Sequence, residues 1–127
     1  TAGSCGVKQQ HHVWKRAKVA VSANHHNFLE LYYSDRQLIS MASGTPLVCH
    51  YVPGLEKEFT EGEHLLLFRT PEECVEKVRW LLRSPEEAKK IGRAGRAKVL
   101  AEHTWWNRFG MVLPWVEEIR ERLRGSV

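Results

Sequence analysis

Three short apolar runs punctuate the chain, and around them apolar residues recur at helical spacing. Residues 17–23 alternate Val19 and Val21 with small residues, which predicts a strand. Residues 45–51 and 64–68 are almost continuously apolar, as strands are when both faces of a parallel sheet are covered. Residues 24–27 are polar and read as a loop. Ser34-Asp35-Arg36-Gln37 then opens a helix, with Ser34 placed to cap the amide of Gln37 and Gln37 placed to reach back. Leu38, Met41 and Ala42 supply its apolar face; Gly44 stops it and Pro46 prevents its continuation. Pro53-Gly54 is a turn, and residues 55–59 have the length of one helical turn.

Two matching helix starts follow. Thr70-Pro71-Glu72-Glu73 and Ser84-Pro85-Glu86-Glu87 each offer a cap, a proline at the first helical position and carboxylates in the first turn. Cys74, Val75, Val78, Leu81 and Leu82 mark the apolar stripe of the first helix; Ile91, Val99 and Leu100 mark the second, which runs to about Glu102. A last helix is expected from about Thr104 to about Arg124, kinked or divided at Pro114. Residues 1–16 read as an irregular N-terminal segment and residues 17–127 as one α/β domain. Strands joined by helical crossovers imply a small parallel sheet of about three strands with C-terminal helices, a Rossmann-like half-domain. Such a sheet leaves an edge bare, so it belongs to a larger domain or covers that edge in a homodimer.

Length and composition agree: 127 residues, 43% hydrophobic and 27% charged, give one soluble globular domain. No apolar run is long enough to span a bilayer, and no signal peptide is recognisable. The net charge of +4 lies in residues 1–29, where Lys8, Lys15, Arg16 and Lys18 face no acid, leaving fifteen bases against fifteen acids over the remainder. That is thin support for nucleic acid. Lys89, Arg93 and Arg96 share one helix face and read as a solvated surface. Cys5, Cys49 and Cys74 form no C-x-x-C pair, which points to a reducing, cytoplasmic setting. His11-His12 and His25-His26 lack chelating spacing, so no metal is expected.

In open α/β sheets ligands bind beyond the carboxyl ends of the strands. Three segments qualify: residues 24–36, residues 50–55, and Arg69-Thr70. The helix start at Ser34 is the best anion site, with free amides and the positive end of a helix dipole. His50, just past the second strand, is the best-placed acid or base. Trp14, Trp80, Trp105, Trp106 and Trp115 are expected to pack helices, and Gly92 and Gly95 to allow close helix approach.

Several stretches carry a resemblance: Tyr33-Ser34-Asp35-Arg36, residues 41–48, Val52-Pro53-Gly54-Leu55 with Phe59, Gly62 and Glu63, then Ser84-Pro85-Glu86-Glu87, Gly95-Arg96 and His103-Thr104 with Arg108. In that order they resemble the C-terminal, nucleotide-sugar half of GT-B glycosyltransferases, in the group 1 and spore-maturation-like subgroup, over residues 17–125. The resemblance implies a nucleotide-diphosphate sugar as donor substrate and no separate cofactor. Ser34 and the amides of Arg36 and Gln37 would hold phosphate oxygens beside Asp35, and Arg36 would add charge to the leaving diphosphate. Pro53, Gly54 and Leu55 would lie near the donor sugar. Two departures stand out. Ile39 and Leu31 occupy the positions where such enzymes carry ribose-gripping glutamates, and Glu30 stands one residue out of register. An acceptor-binding N-terminal domain has no room before residue 17. The resemblance therefore implies a donor-binding wall for glycosyl transfer, with catalysis by this chain alone not expected. The alternative is a non-catalytic, glycosyltransferase-like module that dimerises or pairs with a partner chain.

Overall fold

The computed structural model describes residues 7–125. Its elements run α1 (Val7–Arg16), β1 (Ala20–Ser22), α2 (Asp35–Ala42), β2 (Leu47–His50), α3 (Leu55–Glu58), β3 (Leu66–Phe68), α4 (Pro71–Arg83), α5 (Pro85–Glu102) and α6 (Trp105–Gly125). The strands form a parallel sheet in the order β1-β2-β3, with Ala20 opposite Leu47 and Val48 opposite Leu66. The expected α/β half-domain is therefore observed.

Side chains on the sheet alternate between two cores, as the two-residue strand period requires. Leu47, Cys49 and Leu67 enter one core with Met41 of α2 and Val99 of α5. Val48, Leu66 and Phe68 enter the other with Leu81 of α4 and Ile91 of α5. β2 is covered on both faces, and burial pushes the Cys49 thiol up to about 12. Helix α5 contributes to both cores, and its close approach is set by glycine. A Cβ on Gly92 would stand 2.3 Å from the Gly44 carbonyl oxygen, and one on Gly95 would stand 2.5 Å from that of His64. Gly44 and His64 shortly precede β2 and β3, so α5 crosses the amino ends of the strands. The carboxyl ends are left to the loops.

Several expectations are corrected. Residues 7–16 are not irregular: they form α1, whose Trp14 carbonyl accepts a hydrogen bond from Thr45 Oγ1 at 2.6 Å. Residues 1–6, Cys5 among them, lie outside the described residues. The strands are shorter than the apolar runs: the described ladders pair only residues 20–22 with 47–49 and 48–50 with 66–68. On α4, Val75 and Leu82 face solvent, and Leu100 does so on α5. Thr70 accepts from the Glu73 amide at 3.2 Å, whereas Ser84 makes no side-chain cap. Helix α6 runs through Pro114 as one element, and none of its residues is buried. Trp105, Trp106 and Trp115 are 76%, 86% and 72% exposed, so they pack no helix here. Trp80 is also exposed, while Trp14 rests against the first core.

Candidate functional site

The rim at the carboxyl end of β1 is built by the long connection to α2. That connection leaves β1 at Ser22, and Asn24 folds back on it by donating its amide to Asn27 Oδ1 at 3.2 Å. Leu31 adopts the left-handed region, at φ 54, where a side chain crowds its own carbonyl. Its amide is tied to the Pro53 carbonyl at 2.8 Å. Tyr33 and Ser34 then lead into α2.

Between β1 and this turn lies a cleft of about 520 Å3, lined by Ala23, Asn24, His25, Tyr32, Tyr33, Ser34 and Arg36. A smaller hollow of about 260 Å3 continues along the open edge of β1, past Trp14, Val21 and Ser40, with Arg36 between the two. Asn24 Nδ2 is buried at the cleft with no acceptor among the described residues. Among those residues the Asp35 and Arg36 amides also have no protein acceptor, as the first turn of a helix leaves them. The helix dipole adds partial positive charge at the same point. The cleft lining thus combines the Asn24 amide, the Ser34 hydroxyl and the Arg36 guanidinium with the rings of His25, Tyr32 and Tyr33, beside the free amides of the helix start. It suits a ligand with an anionic end and a flat end.

The structure sorts the sequence-predicted residues. Ser34 and Arg36 line the cleft together, and Arg36 Nε donates to Ser34 Oγ at 3.3 Å. Asp35 is exposed in the first turn. The expected capping box is absent: Ser34 makes no side-chain cap, and the Gln37 side chain is buried, donating to Ser22 Oγ at 3.2 Å. The Gln37 amide is already taken by the Ser34 carbonyl at 3.1 Å, so it is no free donor for phosphate. Pro53 and Gly54 sit alongside the turn rather than in the cleft. A Cβ on Gly54 would stand 2.9 Å from Glu30 Cγ, and Gly54 itself has φ 86. Leu55 is 2% exposed and belongs to the core. His50 lies outside the cleft lining; its Nδ1 meets the Tyr51 carbonyl at 2.8 Å and its ring stands edge-on to Phe68. Ile39 and Leu31 do not line the cleft, and Glu30 is paired with Lys57 at 2.6 Å. Among the described residues no carboxylate lines the cleft. Among the described residues no three His, Cys, Asp or Glu side chains converge as a metal-ligand set.

Sequence reasoning singled out residues 24–36 but not Asn24, His25 and Tyr32 as its lining side chains; their place after an apolar strand was the available signal. It also missed a network behind the cleft. Tyr33 donates its hydroxyl to Glu58 Oε2, and Arg108 Nη2 lies 3.4 Å from the same hydroxyl oxygen and 3.6 Å from Glu58 Oε1. Arg108 also reaches His103 Nδ1 at 3.1 Å. Burial, helped by the Glu58 carboxylate, raises the Tyr33 phenol well above its ordinary value; burial lowers His103 below its ordinary value.

Known proteins share much of this architecture. The sequence pattern of the glycosyl transferase-like family matches residues 4–113. A trehalose synthase of Pyrococcus horikoshii is 35% identical over 60 residues, which is 47% of this chain and 14% of that protein. Among solved structures, a sucrose-phosphate synthase from Thermosynechococcus elongatus superposes with a TM-score of 0.66 at 20% identity, over 91% of this chain and 27% of that one. The chain therefore spans well under a third of the length of either relative. The structural likeness establishes the fold.

Proposed function

The chain belongs to the glycosyl transferase-like family, and from that premise we propose that it supplies the donor-binding wall of a glycosyltransferase. The ligand is a nucleotide-diphosphate sugar, held at the β1–α2 rim. One observation carries the reading: a cleft of about 520 Å3 lies at the carboxyl end of a parallel strand, facing Ser34 and Arg36 at a helix start. Sites for small ligands span roughly 300–1,000 Å3. The diphosphate lies against the Asp35 and Arg36 amides and the Ser34 hydroxyl, and the Arg36 guanidinium offsets its charge. Tyr32 and His25 offer flat faces to a base or sugar ring. In the transfer, the bond from the anomeric carbon to the diphosphate oxygen breaks as the acceptor oxygen bonds that carbon and loses its proton. The diphosphate leaves with the electron pair, and Arg36 favours that step by stabilising the charge that develops. The acceptor and the base that takes its proton come from outside this chain. Without a ribose carboxylate in the cleft, most of the donor's affinity rests on its diphosphate.

Isothermal titration with UDP, GDP and ADP, each alongside its nucleoside monophosphate, tests the reading. Binding of a diphosphate, weakened about tenfold or more by Arg36→Ala, is expected, since a charged hydrogen bond contributes about 1.5–3 kcal/mol. No heat and no rise in melting temperature at millimolar diphosphate would refute it.

A second reading, a non-catalytic module that pairs with a partner chain, is favoured by the bare face of α6. Trp105, Phe109, Val112, Val116, Ile119 and Leu123 recur at alternating spacings of four and three, and every one is more than half exposed. A melting temperature that rises with protein concentration but ignores every nucleotide would select this reading.

A further inference from the structure

We propose that Tyr33 is a positioning residue for the rim turn, held in place by Glu58 of α3 and by the His103–Arg108 pair at the α5–α6 junction. The inference rests on reading the cleft as a diphosphate site, since Tyr33 lines that cleft and immediately precedes Ser34. Three observations converge on it.

First, the turn is not self-supporting. Leu31 holds φ 54 without being glycine, and its only described backbone anchor outside the turn is the Pro53 carbonyl. A strained residue persists where its surroundings over-determine it. Second, the Tyr33 hydroxyl ties the end of the turn nearest α2 to the rest of the domain, beyond the Glu30–Lys57 pair and the Leu31–Pro53 hydrogen bond. It donates to Glu58 Oε2 while accepting from Arg108 Nη2 at 3.4 Å. Its ring stands edge-to-face with Phe59, which is buried. Third, the far end of the network is packed into the core side of the domain. Arg108 donates to His103 Nδ1 at 3.1 Å, so that nitrogen is the acceptor and the ring proton sits on Nε2. Nε2 is buried without a partner among the described residues, and the ring is stacked on Phe59 with centroids 4.6 Å apart. The same Nδ1 lies 3.9 Å from Glu58 Oε2, so the ring faces both groups that hold the phenol. The His103 ring therefore fixes Arg108, Arg108 and Glu58 fix the phenol, and the phenol fixes the backbone that presents Ser34, Asp35 and Arg36.

The test pairs a ligand-free readout with a ligand-bound one. Tyr33→Phe keeps the ring and loses only the hydroxyl. In 15N–1H spectra without ligand, the variant is expected to keep its core amides unchanged, while those of Leu31 to Arg36 shift or split and exchange faster. Its affinity for inorganic pyrophosphate is expected to fall about tenfold. Glu58→Gln retains an acceptor for the phenol and should restore near-normal rim amides, whereas Glu58→Leu should mimic Tyr33→Phe. Unchanged rim amides in both Tyr33→Phe and Glu58→Leu, or an unchanged affinity in Tyr33→Phe where the wild type does bind pyrophosphate, overturn the proposal. If the rim amides respond but the wild-type protein binds no diphosphate, the positioning role stands and the reading of the cleft falls. Should Tyr33→Phe fail to fold, Glu58→Gln and Glu58→Leu carry the test, and rim amides that are unchanged in Glu58→Leu overturn the proposal.

Discussion

Alanine at Gly92 sets helix propensity against a backbone obstacle, and the structure decides the sign. In the interior of a helix, Gly→Ala is worth about 1 kcal/mol in favour of folding. At Gly92, however, the new methyl would sit 2.3 Å from the Gly44 carbonyl oxygen, 3.2 Å from its carbon and 3.3 Å from Pro46 N. Non-bonded carbon prefers about 3.5–4.0 Å, so α5 and the Gly44 turn must part by about an ångström. Neither can move freely. Gly44 holds φ 82 with Pro46 two residues on, while α5 is clamped again at Gly95. Overpacking of this kind costs about 1–3 kcal/mol, with a backbone obstacle at the upper end. The expected net loss is about 1–2 kcal/mol, or roughly 4–8 °C in melting temperature for a domain of this size. Gly110 is the internal control. It lies within α6, and a Cβ there meets nothing within 4 Å. Gly110→Ala should therefore raise stability by about 0.5–1 kcal/mol. Urea and thermal unfolding followed by circular dichroism read both variants. A Gly92→Ala protein as stable as the wild type would show that α5 does not approach the Gly44 turn this closely. The packing that sets the base of α2, and with it the aim of its other end at the rim, would then need revision.

Further expected outcomes concern the caps, the buried histidine and the core. Thr70→Ala should lose about 1 kcal/mol, because Thr70 caps Glu73. Ser34→Ala should stay within about 0.5 kcal/mol of wild type yet weaken diphosphate binding; equal losses in thermal melts would refute the absence of a Ser34 cap. His103 is held below its ordinary value of 6.5 by burial, so the unfolded chain binds a proton more readily than the folded one. Its contribution to stability is complete above about pH 6.5 and is lost as pH falls from there toward the lowered folded value. Melts between about pH 7.5 and 5 should show this decline and flatten in His103→Asn; an identical slope in both proteins counts against a neutral His103. Met41→Ala, at 1% exposure, should lose about 2–5 kcal/mol by urea titration.

Local chemistry made the order of elements readable. Pro71 and Pro85 behind potential caps, Gly44 before Pro46, and apolar runs at residues 45–51 and 64–68 are signals that act within a few residues, and the structure follows each of them. The resemblance to group 1 glycosyltransferases was legible in the same way, since its motifs are short and ordered. The cleft was legible only as a region. Ser34 and Arg36 were named because a helix start announces itself, but the capping box expected of the Gln37 side chain did not form: Ser22, fifteen residues away, took it.

What escaped the sequence depends on distance along the chain. Helix α1 was missed because it is short and mostly polar, with only Val7, Val13 and Trp14 apolar, and what it leans on, Thr45, lies 31 residues away. The Tyr33–Glu58 and Tyr33–Arg108 contacts bridge 25 and 75 residues, beyond any periodic pattern. The tryptophans of α6 misled for a related reason: hydrophobicity says that a residue favours burial, and only the neighbours present decide whether it is buried. From residue 17 onward the sequence alone determined which segments are strand or helix and that a helix opens after Ser34, because turns, caps and periodicity are local. Tertiary structure alone decided which amides stay free, which carboxylate meets which cation and which apolar face stays bare, because those depend on partners that arrive from elsewhere in the chain.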